Sequence, residues 1–371
     1  MTLELRGARR FFRVDWTIIG ITVALGGVGI ISLYSAAAPG VPSTSLPIYL
    51  KQSLFLGLGL LCAGLVVAVD YRRWLEYAWV LYLLCLALLV AVLVFGKATS
   101  GSQRWLSLGP VSLQPSEICK WVMMLSLARY FQRRPPPRGY YTLREMLVPL
   151  AMILTLALLI VIEPDLGTAI LLVFISVSML LVAGFRLRSF LKLCVVVLVA
   201  LPLLWQRLEG YQRSRILTFL DPQRDPLGAG YHVTQSKIAV GSGGLLGKGF
   251  LQGTQSQLRF LPEHHTDFAF SVWAEEWGFV GSAFLLVLFF LLLTYGLHVA
   301  QRCGDPIGKV LAFGVIAFFF WPIVINVGMT LGLVPVVGVA LPFISYGGSS
   351  LITSLMAIGL LVNVHMRRFV F

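Results

Sequence analysis

Ten apolar runs joined by short basic connections constrain this chain more than any other feature. They lie at residues 16–37, 53–69, 77–95, 117–131, 146–162, 166–185, 190–205, 279–298, 310–331 and 351–364. A hydrocarbon core about 30 Å thick takes about 20 helical residues to cross. Within it every backbone polar group must be satisfied locally, so such runs become helices. The expected fold is an all-α polytopic membrane protein of about ten transmembrane helices, forming a single integral membrane domain over residues 1–371. Only 12% of residues are charged, against about 25% in soluble domains, which excludes a soluble globular class. The fourth, seventh and tenth runs are short or interrupted by polar residues. The first, preceded by Arg6, Arg9, Arg10 and Arg13, is long enough to read as an uncleaved span rather than a signal peptide.

Lys and Arg give the orientation, because short cytoplasmic connections carry the excess. With ten spans and the N-terminus inside, eighteen lie in inner segments and three, Lys51, Lys97 and Arg104, in short outer ones. Both termini are thus expected in the cytoplasm, with one long outer loop, about 206–266, between helices 7 and 8. The net charge of +13 is scattered among these connections and is explained by topology, not by nucleic acid. The five cysteines suggest neither a disulfide framework nor a CxxC metal site.

In this orientation ten of the sixteen acidic residues sit on or near the outer side, where chemistry must proceed without ATP. A carboxylate at a membrane boundary costs free energy unless it is solvated, paired or used. Asp267 is the foremost candidate: it lies where the long loop re-enters the apolar sequence, beside Glu263, His264, His265 and Thr266. Its bland alternative is that Thr266 or Asp267 caps a helix. Adjacent histidines without HExxH spacing argue against zinc. At Gln114-Pro115-Ser116-Glu117, Ser116 can cap a helix, while Glu117 and Lys120 stand three apart on one face and can pair. That pair either lines an aqueous path or is a structural ion pair. In Glu163-Pro164-Asp165, Asp165 can cap the next helix, and the two acids would repel unless a cation or donor were near.

The long loop carries Arg213, Arg215, Asp221-Pro222, Lys237 and a glycine run, Gly241-Ser242-Gly243-Gly244 through Gly247-Lys248-Gly249. The run is no Walker A sequence, since Ser242 and Gly249 occupy required Gly and Ser/Thr positions. Its backbone N–H groups and nearby cations are still suited to an anionic headgroup. The last motif, from Val334-Pro335 through Gly338 and Pro342 to Ser345-Tyr346-Gly347-Gly348-Ser349-Ser350, is Pro/Gly backbone at membrane depth. Such backbone is tolerated where it is buried in protein or lines a cavity.

Together these stretches resemble the SEDS family of cell-wall polymerases. The resemblance is carried by Arg104-Trp105, Gln114 to Glu117 with Lys120, Glu163-Pro164-Asp165-Leu166-Gly167-Thr168, Asp221-Pro222 through Tyr231, Gln235-Ser236-Lys237, His265-Thr266-Asp267-Phe268 and Ser345-Tyr346-Gly347-Gly348-Ser349. Gly253-Thr254-Gln255-Ser256-Gln257 and short tails favour the elongation branch over the division branch. The resemblance implies a peptidoglycan glycosyltransferase that polymerises lipid II, the undecaprenyl-pyrophosphate-linked disaccharide-pentapeptide, during cell elongation. It further implies a multi-pass protein of the bacterial inner (cytoplasmic) membrane whose active site faces the periplasm. The implied partners are a class B penicillin-binding protein transpeptidase and other elongation-complex membrane proteins. Asp267 takes the catalytic role, as general base of an inverting transfer. Expected substrate-binding residues are Arg104, Glu117, Lys120, Asp165, Arg213, Arg215, Lys237, Ser345 and Ser349. A divalent cation, Mg or Mn, held by Glu117 or Asp165 is a candidate cofactor. The competing readings are a lipid II flippase and a non-catalytic scaffold for the transpeptidase.

Overall fold

The computed structural model describes residues 16–37, 46–99, 102–108, 111–136, 139–207, 210–221, 224–225, 228–258, 260 and 265–368. The N-terminal arginines, Arg138, Glu209, Pro222, Glu263 and His264 lie outside the described residues.

Each apolar run lies on one helix, as backbone satisfaction in hydrocarbon requires. The elements are α1 (Trp16–Ala36), α2 (Ile48–Ala68), α3 (Tyr71–Glu76), α4 (Ala78–Phe95), α5 (Pro115–Arg133), α6 (Leu143–Ile162), α7 (Leu166–Val182), α8 (Leu187–Arg207), α9 (Gly210–Leu220), α10 (Ala229–Ser242), α11 (Thr254–Gln257), α12 (Ala269–Arg302), α13 (Pro306–Thr330) and α14 (Gly348–Met366). Among the described residues, α1, α2, α4, α6, α12, α13 and α14 are long and apolar enough to cross a membrane. This is a multi-pass membrane protein. At 17 residues, α7 is about 26 Å long and falls just short of the hydrocarbon thickness.

Aspartates set several helix starts by accepting a backbone N–H that has no partner within the helix. Asp70 accepts from Arg72 N, Asp165 from Thr168 N and Asp305 from Ile307 N. Two expected caps are otherwise. Gln114 and Pro115 open α5, freeing Ser116 to donate from Oγ to Asp165. Phe268, not Thr266 or Asp267, precedes α12.

The fourth run looked weak in sequence because α5 faces protein, not lipid. Fifteen of its nineteen residues are buried, including Ser116, Glu117, Lys120 and Ser126. A helix enclosed by others need not be apolar all round. By contrast, none of the described side chains of α8 is buried, so that helix lies at the periphery. Among the described residues the main core is a continuous cluster from Ile18 to Val364, with a small second cluster at Phe268 and Val272.

Two departures from the expected picture position the site. Between α4 and α5 lies a small antiparallel sheet, β1 (Lys97–Thr99), β2 (Ser102–Leu108) and β3 (Val111–Leu113), in the order β1-β2-β3. The long connection is also largely helical, through α9, α10 and α11. Its glycine run is a backbone-to-backbone clasp rather than an open cradle. Lys248 N and Gly249 N donate to Glu275 O and Glu276 O, while Phe279 N and Val280 N donate to Gly244 O and Leu245 O. The clasp grips α12 at its kink, Gly278. Gly247 has a φ of 81°, and a Cβ there would overlap the Glu276 carbonyl, so the close approach requires glycine.

Candidate active site

The non-helical stretch between α13 and α14 satisfies the condition for irregular backbone at membrane depth. Val339, Leu341, Phe343 and Ile344 are buried, while Gly338, Ala340, Pro342, Tyr346 and Gly347 line a cavity of about 410 Å³. The other walls come from distant parts of the chain. Arg104 and Trp105 arrive on β2, Glu117 and Lys120 on α5, Asp165 and Thr168 at the start of α7, and Arg215 on α9. Thr266 and Asp267 enter from the turn before α12, Phe318 and Pro322 from α13, and Ser350 and Ser354 from α14.

The cavity is polar in depth. Lys120 Nζ lies 2.9 Å from Glu117 Oε1 and 5.2 Å from the centre of the Phe318 ring, so an ammonium one and a half turns into α5 is neutralised by pairing and by the aromatic face. Asp165 is enclosed by donors: Gln114 Nε2 donates to Oδ2 at 2.9 Å, Ser116 Oγ to Oδ2 at 3.2 Å and Thr168 N to Oδ1 at 3.3 Å. Arg104 stands 3.8 Å from Asp165 Oδ1 and also donates to the Pro164 carbonyl. Here is the cation that the Glu163-Pro164-Asp165 turn needed.

Glu163 is fully buried and neither of its carboxyl oxygens has a hydrogen-bond partner. Burial first, then the Asp165 charge, push its carboxyl up to about 8, with Arg104 opposing. The native state therefore keeps a proton that the unfolded chain releases above about 4.5. This contribution to stability is present at low pH and falls as pH rises toward 8. Glu163→Gln is expected to remove that fall, raising the unfolding midpoint in detergent more at pH 8 than at pH 5. An unchanged difference between the two pH values would refute the assignment.

Of the residues singled out in sequence, Asp267, Arg104, Glu117, Lys120, Asp165 and Arg215 share this cavity. Four do not line it. Arg213 donates to the carbonyls of Trp205 and Gln206, and Lys237 packs beside Gly332. Ser345 Oγ accepts from Leu341 N, and Ser349 Oγ accepts from Gln114 N. The two serines thus tie the cavity wall to itself. Sequence reasoning passed over the cavity residues Phe318, Pro322 and Ser354, and Asn326, which bonds the Asp267 and Val339 carbonyls; Ser350 figures there only as the end of the Pro/Gly motif. The available signal was a Pro and an Asn within an apolar run, and two hydroxyls four apart on α14.

A divalent ion held by the protein alone does not fit the candidate donors. Asp165 accepts three hydrogen bonds and faces Arg104 at 3.8 Å, and Glu117 Oε1 is taken by Lys120, leaving Glu117 Oε2 without a hydrogen-bond partner. Hard cations call for several anionic or carbonyl oxygens. The cations among the described residues that line the cavity are Arg104, Lys120 and Arg215.

Comparison with known proteins agrees with this architecture. The family model FtsW/RodA/SpoVE, described as cell cycle protein, matches residues 12–369. Peptidoglycan glycosyltransferase MrdB of Escherichia coli K12 is 45% identical over 320 residues, 84% of this chain and 85% of that protein. Peptidoglycan glycosyltransferase RodA of Treponema pallidum is 31% identical over 443 residues, 99% of this chain and all of that protein. Among solved structures, a chain from a study of the structural coordination of polymerization and crosslinking by a peptidoglycan synthase complex superposes with a TM-score of 0.83 at 34% identity, covering 96% of this chain and 99% of that one. The crystal structure of the rod shape determining protein RodA from Thermus thermophilus gives 0.71 at 34% identity, covering 96% and 98%. With the family model spanning nearly the whole sequence and relatives matched along most of their own length, the chain belongs to the FtsW/RodA/SpoVE family, the SEDS family that its motifs resemble.

Proposed function

We propose that this protein is a peptidoglycan glycosyltransferase that polymerises lipid II during cell elongation, with Asp267 as its general base. One observation carries the residue assignment: a single cavity holds the Asp267 carboxylate together with Lys120, Arg104 and Arg215. Joining an acceptor 4-hydroxyl to the anomeric carbon of a lipid diphosphate sugar breaks the bond to the diphosphate and inverts that carbon. Asp267 accepts the hydroxyl proton as the new C–O bond forms. Diphosphate is a good leaving group and needs no general acid. Its growing charge is met by the guanidinium and ammonium groups of the cavity, already oriented before reaction.

Glu117 and Asp165 hold Lys120 and Arg104 in place in this scheme. Ser349, through its bond to Gln114 N, and Ser345, through its bond to Leu341 N, keep the walls in register. Arg213 and Lys237 act outside the cavity. The site faces the periplasm of the inner membrane, with Asp267 at the outer end of α12, and the strand it makes passes to a class B penicillin-binding protein transpeptidase. The solved relative from a peptidoglycan synthase complex supports such a partner.

The test is polymerisation by purified protein in detergent, supplied with lipid II. Glycan strands should form without any bilayer to cross. Absence of polymer from protein that is folded and bound to its transpeptidase would favour the transport or scaffold readings.

A further inference from the structure

Asn326 is fully buried in the outer half of α13, in a segment whose other residues, Thr330 apart, are apolar or glycine. Its amide spans two backbone carbonyls from separate chain segments: Nδ2 donates to Asp267 O at 2.9 Å and to Val339 O at 2.7 Å. Two acceptors at these distances settle which end of the amide is nitrogen. Asp267 sits in the turn before α12, and Val339 in the irregular stretch that forms the facing wall of the cavity. Asp267 and Val339 themselves lie outside helices and strands, so their spacing is set by tertiary contacts such as this one. The space between them is narrow. Gly338 adopts a φ of 72°, and a Cβ there would lie 3.4 Å from Asp267 Oδ2. A second link, Tyr346 N to His265 O at 2.8 Å, joins the same two segments farther along.

The arrangement carries a cost. Asn326 Oδ1 is buried without a hydrogen-bond partner, and a buried unsatisfied acceptor is destabilising. An apolar residue of similar outline would remove that acceptor but would take the donor away from both the Asp267 and Val339 carbonyls. Resting on the reading of Asp267 as general base, we propose that Asn326 is its positioning residue: the forked amide sets the distance between the Asp267 backbone and the Val339 wall, and so where the carboxylate meets the acceptor hydroxyl. Asn326 touches no substrate. Its effect is on geometry at the moment of proton transfer rather than on binding.

Asn326→Leu keeps the branched heavy-atom skeleton, at a somewhat larger volume, while removing both donors and the unpaired acceptor. With lipid II in detergent, kcat is expected to fall about 10- to 100-fold and KM to change less than about twofold, since displacement of a catalytic group by an ångström costs on this scale. The unfolding midpoint should not fall in proportion. A kcat within about twofold of the parent would overturn the proposal, as would parallel losses of kcat, KM and unfolding midpoint. If the Leu variant is not recovered folded, the same readouts on Asn326→Asp, which keeps the outline of the side chain, decide the matter. Asp267→Ala is run alongside. Loss of activity there with an unaffected Asn326→Leu sinks the positioning role alone, whereas undiminished activity in Asp267→Ala sinks the general-base reading itself.

Discussion

Asp267→Asn should lower the kcat of lipid II polymerisation by about 10²- to 10⁴-fold, the range contributed by a positioned general base. The substitution preserves outline and polarity and removes the negative charge together with the ability to accept a proton. Because the cations of the cavity are untouched, KM for lipid II should stay near its parental value. Expression, the unfolding midpoint and capture of the transpeptidase should also hold, because Asp267 is only half-buried and Asn326 grips its backbone carbonyl, not its side chain. Purified variant and parent compared at matched concentration supply the test. Full activity in Asp267→Asn would remove the residue from the mechanism.

Lys120→Met should be the most damaging change to stability in the site. It leaves Glu117, 7% exposed, as a buried carboxylate that has lost the ammonium 2.9 Å away. Breaking a buried pair from one side costs about 3–5 kcal/mol, and water in the cavity brings this toward the lower end. Adding Glu117→Gln should recover most of the stability, because the double variant carries no uncompensated charge. It should not recover polymerisation, since the cavity has lost its deepest cation. Thermal unfolding in detergent and the polymerisation assay, measured on both variants, separate the two effects. A double variant that polymerises like the parent would reduce Lys120 to a structural role.

Particular elements show how far the sequence could be read. The Glu117–Lys120 pair and the cap at Asp165 followed from local spacing, because i, i+3 neighbours and helix N-caps are properties of a few adjacent residues. The prolines and glycines between Val334 and Gly347 could be assigned to a cavity wall on solvation grounds alone. The fourth run gave a helix despite its weak hydropathy, since hydropathy measures affinity for lipid and α5 is surrounded by protein. Arg213 and Lys237 looked equivalent to Arg215 in sequence. Only the path of α9 and α10 decides which of the three reaches the cavity. The glycine run suggested anion binding, and its use in clasping α12 depended on a partner some thirty residues away.

By itself the sequence determined that the chain spans a membrane several times and that Asp267 lies where a long polar stretch re-enters apolar sequence, a place where a carboxylate is costly. Those follow from transfer free energies, which sum over neighbouring residues. Tertiary structure alone decided that β2, α5, α7, α9, α13 and α14 converge on Asp267, that Asn326 bridges it to the opposite wall, and that Glu163 is sealed off beside Arg104. Each of these is a distance between residues far apart in the chain, and the folded packing sets such distances.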